Sequence, residues 1–412
     1  MRAFFWFLNR FLKSILRSIS HTAKFISVCI FYLFLQKMFT PSLFSDKLIK
    51  KEAIDLAEIE EILKRYDDIL SDNDIESPLT NGKENKIYTV SNFRGGIGKT
   101  TLSFNIAYKF AKSYRSLFVD VCPQRNYSEL LLGTDINNFK PTIYDALIEK
   151  VMGGAWESES DAPLSRRVRD SNKEFENLEE VSHVIPGSTE LFLFSSTLYS
   201  QLNQFYSMRS SNKQEKGVAN LLNSLKSIID NESRDLKTEK VLIDTSPFFG
   251  GATHLAWMAA DAIIIPVRVD EQSLFALELT LKMLHDDSSD FNIWRKRAGI
   301  TKKAKVQAIA VTHCGWNRQS EHQIDGASRM YIDRAVSIAN EYGDCFTTDN
   351  PVDHFALLSD FQGSGKISGS LGIPIENLTS QKFFTVDGKR LQVNKSVERY
   401  KKELNYLFKL ID

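Results

Sequence analysis

One stretch limits what this chain can fold into more than any other. Ser91-Asn92-Phe93-Arg94-Gly95-Gly96-Ile97-Gly98-Lys99-Thr100-Thr101 follows the short run Lys86-Ile87-Tyr88-Thr89-Val90 and leads into Leu102–Ala111, whose apolar spacing predicts a helix. Gly-x-Gly-Lys-Thr between a strand and a helix is the core of a phosphate-binding loop. Its glycines let backbone N–H groups converge on phosphate oxygens, and the helix N-terminus adds positive potential where the anion sits. On this reading Gly95, Gly96, Ile97, Gly98, Lys99, Thr100 and Thr101 hold the phosphates of a nucleotide. Lys99 reaches the β- and γ-phosphates, and the Thr100 hydroxyl ligates Mg²⁺. The expected fold is α/β: a doubly wound, mainly parallel sheet flanked by helices, with nucleotide at the carboxyl ends of the strands.

The composition of the loop narrows the choice. Where the common pattern opens with glycine the chain has Phe93, and Arg94 precedes two glycines. This resembles the deviant Walker A loop of the ParA/MinD family of SIMIBI-class P-loop ATPases, Lys-Gly-Gly-x-Gly-Lys-Thr-Thr. In that family the leading lysine reaches across a nucleotide-sandwich dimer to the partner's phosphates. Arg94 stands at that position and brings a guanidinium fork in place of a point charge. A second segment, Asp120-Val121-Cys122-Pro123-Gln124-Arg125-Asn126, resembles the family's switch I motif Asp-x-Asp-Pro-Gln-x-Asn. The family's second Asp orients or activates the attacking water. Cys122 takes its place, and a neutral thiol has neither the charge nor the two acceptor oxygens of a carboxylate.

Further along, Lys240-Val241-Leu242-Ile243-Asp244 has the Walker B form, with Thr245 to Gly251 as switch II. The resemblance covers roughly residues 86–375. It implies Lys99, Arg94, Asp120 and Cys122 as the catalytic set, Thr100 and Asp244 at the metal, and Thr312 beside the base. It implies ATP and Mg²⁺ as cofactors, a homodimer on ATP binding and an adaptor or activating protein. The implied activity is a switch ATPase in DNA partition or intracellular positioning, slow because of Cys122. The alternative is a nucleotide-gated, membrane-attached scaffold or defence-system component that hydrolyses little ATP.

Composition removes other classes. Lys plus Arg and Asp plus Glu both number 52, so no global field draws this chain to a polyanion and any such contact is local. Cys29, Cys122, Cys314 and Cys345 lack metal-ligand spacing, which argues against a cluster-bearing or metal-carrying relative and fits a reducing cytoplasm. One local patch is Arg295, Lys296, Arg297, Lys302, Lys303 and Lys305, readable as a solvated loop or as a phosphate-binding surface for DNA or anionic lipid. The other is residues 1–45, with no acid before Asp46. Over 3–19 its aromatic and aliphatic residues share one helical face opposite Arg10, Lys13 and Arg17, a pattern that suits the inner membrane surface or a docking helix. The expected division is this basic segment, an acidic helix and linker over 46–85, the nucleotide domain over 86–380, and a terminal helix within 381–412.

Overall fold

The computed structural model describes residues 58–412 apart from 72–75, 80–81, 135, 137–138, 154–161 and 318–322. The expectations for the helix at 3–19 and for residues 1–45 as a whole lie outside the described residues. Glu58–Asp412 forms one compact unit.

Eight strands make one sheet in the order β3-β4-β2-β5-β1-β6-β7-β8. They are β1 Ile87–Val90, β2 Ser116–Asp120, β3 Arg166–Arg167, β4 Ser182–Ile185, β5 Lys240–Asp244, β6 Ala262–Arg268, β7 Lys305–Cys314 and β8 Phe355–Ser359. All neighbours pair parallel except two-residue β3, which is antiparallel to β4 at the edge. A separate hairpin joins β9 Phe383–Val386 to β10 Lys389–Gln392. Parallel strands covered on both faces are apolar throughout, as Val241-Leu242-Ile243 and Ile263-Ile264-Ile265 are here.

Alternate residues feed two core layers. Val241, Ile243, Ile263, Ile265 and Ile309 pack under helices Gly251–Ala259, Glu271–His285 and Gly326–Glu341. Tyr88, Val90, Leu242, Ile264 and Ala310 pack under the loop helix Lys99–Ser113 and the terminal helix Val397–Ile411. Central β1 is flanked by β5 and β6, so the connections part beside it and leave a crevice at the carboxyl ends of the strands. The doubly wound α/β expectation is met.

The acidic helix is helical over 58–70 and is seated on the sheet domain, where the sequence suggests a tethered module. Ile59, Ile62, Tyr66 and Leu70 all point into the first core layer, each burial contributing about 1.5–3 kcal/mol. Arg65 donates to the Val352 carbonyl at 2.7 Å and pairs with Asp353 at 3.3 Å. The charged stretch 157–180 reads as a surface insertion, yet Val168 and Phe175 in its described part are buried, with Phe175 edge-on to Tyr108. The periodicity over Gly217 to Asp230 predicts one helix; two form, Ser211–Leu222 and Ser224–Leu236, broken at Asn223. Helix Leu191–Tyr206 is an addition, anchored by Leu191, Phe194, Leu198 and Leu202.

Candidate nucleotide site

The glycine loop is held open from both ends. Asn92 donates from Nδ2 to the Pro266 carbonyl at 2.7 Å and accepts the Arg94 N–H at 3.0 Å, while the Thr245 hydroxyl donates to the Val90 carbonyl at 2.8 Å. Gly96 and Gly98 have φ of +71° and +88°, and Gly98 caps the helix that starts at Lys99. An added Cβ at either would meet nothing within 4 Å, so glycine is required by backbone conformation and not by crowding. The loop opens on a cavity of about 690 Å³ lined by Gly95 to Leu102, Cys122, Gln124, Asn126, Thr245, Pro247, Thr312, His313, Leu358 to Gly363, Gly365 and Lys366.

Behind it stand two buried carboxylates at the ends of adjacent strands, Asp120 of β2 in register with Asp244 of β5. Asp244 accepts the Thr100 hydroxyl at 3.0 Å and the Ser103 hydroxyl at 2.6 Å. Asp120 accepts the Cys122 N–H at 3.0 Å, the Ser128 N–H at 2.9 Å and the Ser128 hydroxyl at 2.7 Å. Gly187 leaves it room, since a Cβ there would lie 2.9 Å from the Asp120 carboxyl carbon. Burial drives both carboxyls above the usual range, and the charge of Asp120 adds to the effect on Asp244. Burial lowers Lys99 to about 8; its ammonium donates to the Arg94 carbonyl. Burial, with Asp120 and Asp244 nearby, pushes the Cys122 thiol up to about 12, so it is neutral at pH 7. A hydroxyl beside a buried carboxylate is a hard oxygen donor set that suits Mg²⁺, and a divalent ion would add to the positive charge that Lys99 and Arg125 bring beside this pair. Thr100 and Asp244 fit the metal.

The remaining candidates are placed as follows. Arg94 does not line the cavity. Its guanidinium pairs with the Asp270 carboxylate and donates to the Ser273 hydroxyl at 3.1 Å, while Asp270 caps helix Glu271–His285 by accepting the Ser273 N–H at 2.9 Å. Thr312 lines the cavity and its hydroxyl lies 3.4 Å from the Ile97 carbonyl. The far wall, His313, Asp360, Phe361, Gln362 and Lys366, carries no motif. Its one local signal is backbone strain, φ +61° at His313 and +44° at Gln362, a feature that clusters at working sites.

Four of the six cations of the basic patch have partners within the chain. Arg295 donates to the Ile300 and Thr301 carbonyls at 2.9 and 3.0 Å, Lys296 pairs with Asp287 at 2.8 Å, Arg297 lies over the Tyr206 and Trp294 rings, and Lys302 pairs with Asp261. The run ends at Lys305, the amino end of β7, whereas Thr312 near its carboxyl end faces the cavity. Among the described residues no helix is long and apolar enough to cross a membrane.

Comparison with known proteins agrees with this geometry. An "AAA domain" family model matches residues 85–292. The chain is 25% identical over 254 residues to the chromosome partitioning protein ParA of Myxococcus xanthus, covering 61% of this chain and 73% of that protein. It is 25% identical over 202 residues to the cell division protein PomZ of the same organism, covering 49% of this chain and 52% of PomZ, so about half the length of that relative is spanned. Among solved structures, the ATP complex of a Cyanothece McdA variant superposes with a TM-score of 0.53 at 16% identity over 79% of this chain and 96% of McdA, a likeness of fold. Apo McdA gives a TM-score of 0.51. With a deviant phosphate loop, a hydroxyl–carboxylate pair behind it and a matching domain model, the chain belongs to the ParA/MinD-like family of P-loop ATPases.

Proposed function

We propose that this chain is a Mg-ATP switch that closes face to face on a second copy of itself, acting in DNA partition or intracellular positioning with an adaptor or activating protein. The observation that carries this is the Thr100–Asp244–Ser103 cluster, set directly behind a left-handed glycine loop. Mg²⁺ on Thr100 and Asp244 would neutralise charge on the β- and γ-phosphates. Lys99, buried and lowered to about 8, stays charged at pH 7 and is held so more firmly once phosphates replace the Arg94 carbonyl as its partner. Arg94 of one copy serves the other copy's phosphates after leaving Asp270, so dimer closure exchanges one anion for another. Hydrolysis is in-line attack by water on the γ-phosphate, with catalysis drawn from positioning and charge neutralisation. Magnesium-dependent ATP binding by calorimetry is the test. An undetectable affinity, unchanged by Lys99→Ala, overturns the reading.

A second reading has its own support. The Cys122 thiol is 4% exposed and neutral, and lines the cavity where the family's carboxylate acts on water. This favours a cycle in which ATP is held far longer than it is cleaved, as in a nucleotide-gated scaffold attached through residues 3–19 to the inner membrane face. Steady-state phosphate release separates the two. Cys122→Asp is expected to be about 100-fold faster than wild type or more, the low end of what a positioned base contributes. Equal, high rates in both proteins refute the scaffold.

A further inference from the structure

Glu403 lies on the terminal helix Val397–Ile411 and is 1% exposed. A carboxyl in a core is costly unless its oxygens are satisfied, and these are. One accepts the Ser359 N–H at 2.8 Å; the other accepts the Ser359 hydroxyl at 2.6 Å and the Tyr66 hydroxyl. Ser359 ends the edge strand β8 and also accepts the Trp316 indole N–H at 2.9 Å. Tyr66 belongs to the helix over 58–70 and stacks on Trp316 with ring centroids 4.6 Å apart and planes 18° apart. Arg399 lies over Trp316 at 5.0 Å. The terminal helix and the helix over 58–70 come from opposite core layers, so this carboxyl joins the two faces past the edge of the sheet.

The same Ser359 borders the nucleotide cavity, and a second cavity of about 570 Å³ shares His313, Ser359, Asp360 and Gln362 with it while reaching Trp316 and Arg399. The wall is thus thin. A ligand that presses on Asp360 and Gln362 acts on the backbone adjoining Ser359, and Ser359 is tied to Glu403 by two bonds. Burial raises Glu403 to about 7, which leaves this link sensitive to the charge around it.

We infer that Glu403 is a positioning residue that ties the far wall of the nucleotide cavity to the seating of the helix over 58–70. This rests on the nucleotide reading above. An occupied cavity fixes Ser359, Ser359 fixes the Glu403 carboxylate, and the carboxylate holds Tyr66 and the helix behind it. Coupling between sites is reciprocal, so an unseated helix weakens nucleotide binding by the same factor, typically about 5-fold or more.

The test uses the full chain. Amide exchange over 58–70 is measured with and without Mg-ATP, and compared with helix Ser224–Leu236, which borders neither cavity. Calorimetry gives the Mg-ATP Kd of the same samples. In wild type Mg-ATP is expected to slow exchange over 58–70 by about 5-fold beyond any slowing in Ser224–Leu236. Tyr66→Phe, which keeps the ring and its stack, is expected to lose that extra slowing while its Kd rises by the same factor. Glu403→Gln is expected to behave alike, and Tyr66→Phe suffices if that variant does not fold. Mg-ATP binding with no extra slowing in wild type, or a Tyr66→Phe protein that retains it, overturns the coupling and leaves the nucleotide reading intact. No binding at all overturns both.

Discussion

The Asp270 carboxylate caps helix Glu271–His285, holds Arg94 and also pairs with Arg268 at 3.6 Å. The ion pair is partly exposed and contributes about 0–1 kcal/mol, while losing the cap costs about 0.5–2 kcal/mol. Asp270→Ala is therefore expected to lower stability by roughly 1–2 kcal/mol in denaturant titration. Asp270→Asn keeps the cap and frees the guanidinium, so it is expected to lose less than half of that and to dimerise at lower ATP in light scattering. Gly98, at φ +88°, is a second sensitive position. Gly98→Ala is expected to cost about 1–3 kcal/mol and to abolish Mg-ATP binding, because the amides then no longer point together.

The Lys99 loop and the Asp244 strand end were legible because their spacing encodes backbone shape: glycine where φ is positive, an acid where an apolar run stops. His313, Asp360 and Gln362 were not legible, because they reach the cavity from the end of strand β7, from the residue after β8 and from the start of helix Gln362–Leu371, and no local spacing marks them. Glu403 was hidden for another reason. On an amphipathic terminal helix an acid reads as solvated, and only the third element packed on it, the helix over 58–70, makes it a core residue.

At the scale of the element, the helix over 58–70 shows how far periodicity goes. The spacing of Ile59, Leu63, Tyr66 and Leu70 predicts a helix with an apolar stripe, which is what forms. A stripe does not say what covers it, and the linker-like residues after Ser71 suggest separation. In the structure Ile62 is 2% exposed against the sheet domain. Ile62→Ala is expected to cost about 2–5 kcal/mol, read as a lower denaturation midpoint of the whole unit and not as an early, separate transition. An early transition confined to this helix would mean that it is tethered after all. Helix Leu191–Tyr206 makes the converse point: four consecutive apolar residues, Leu191 to Phe194, blur the period, and exposed Phe192 and Leu193 fall on the side away from the core.

For the whole molecule, buried carboxyls set a pH dependence. Glu403 has a folded pKa of about 7, above its unfolded value near 4.3, and Asp120 and Asp244 are raised in the same direction. A raised folded pKa means stability that is complete below the unfolded value and lost as pH rises through the folded one. Buried His254 and His354, lowered to about 3 and 4, oppose this over the same window, since a histidine held neutral loses stability as pH falls. The difference between variants isolates one group. The Tm of Glu403→Gln relative to wild type is expected to grow more favourable between pH 5 and 7 by about 2 °C or more, and to level off above. A difference that stays flat over that interval would mean that Glu403 is ionised throughout.

Because every long strand runs the same way, the sheet has two unlike rims. One carries the bent amides and the paired acids; the other carries the start of β7 at Lys305. If the proposed reading holds, a polyanion gripped at the second rim by Lys303 and Lys305 would leave the first rim bare, so that it and a twin subunit would not compete for territory.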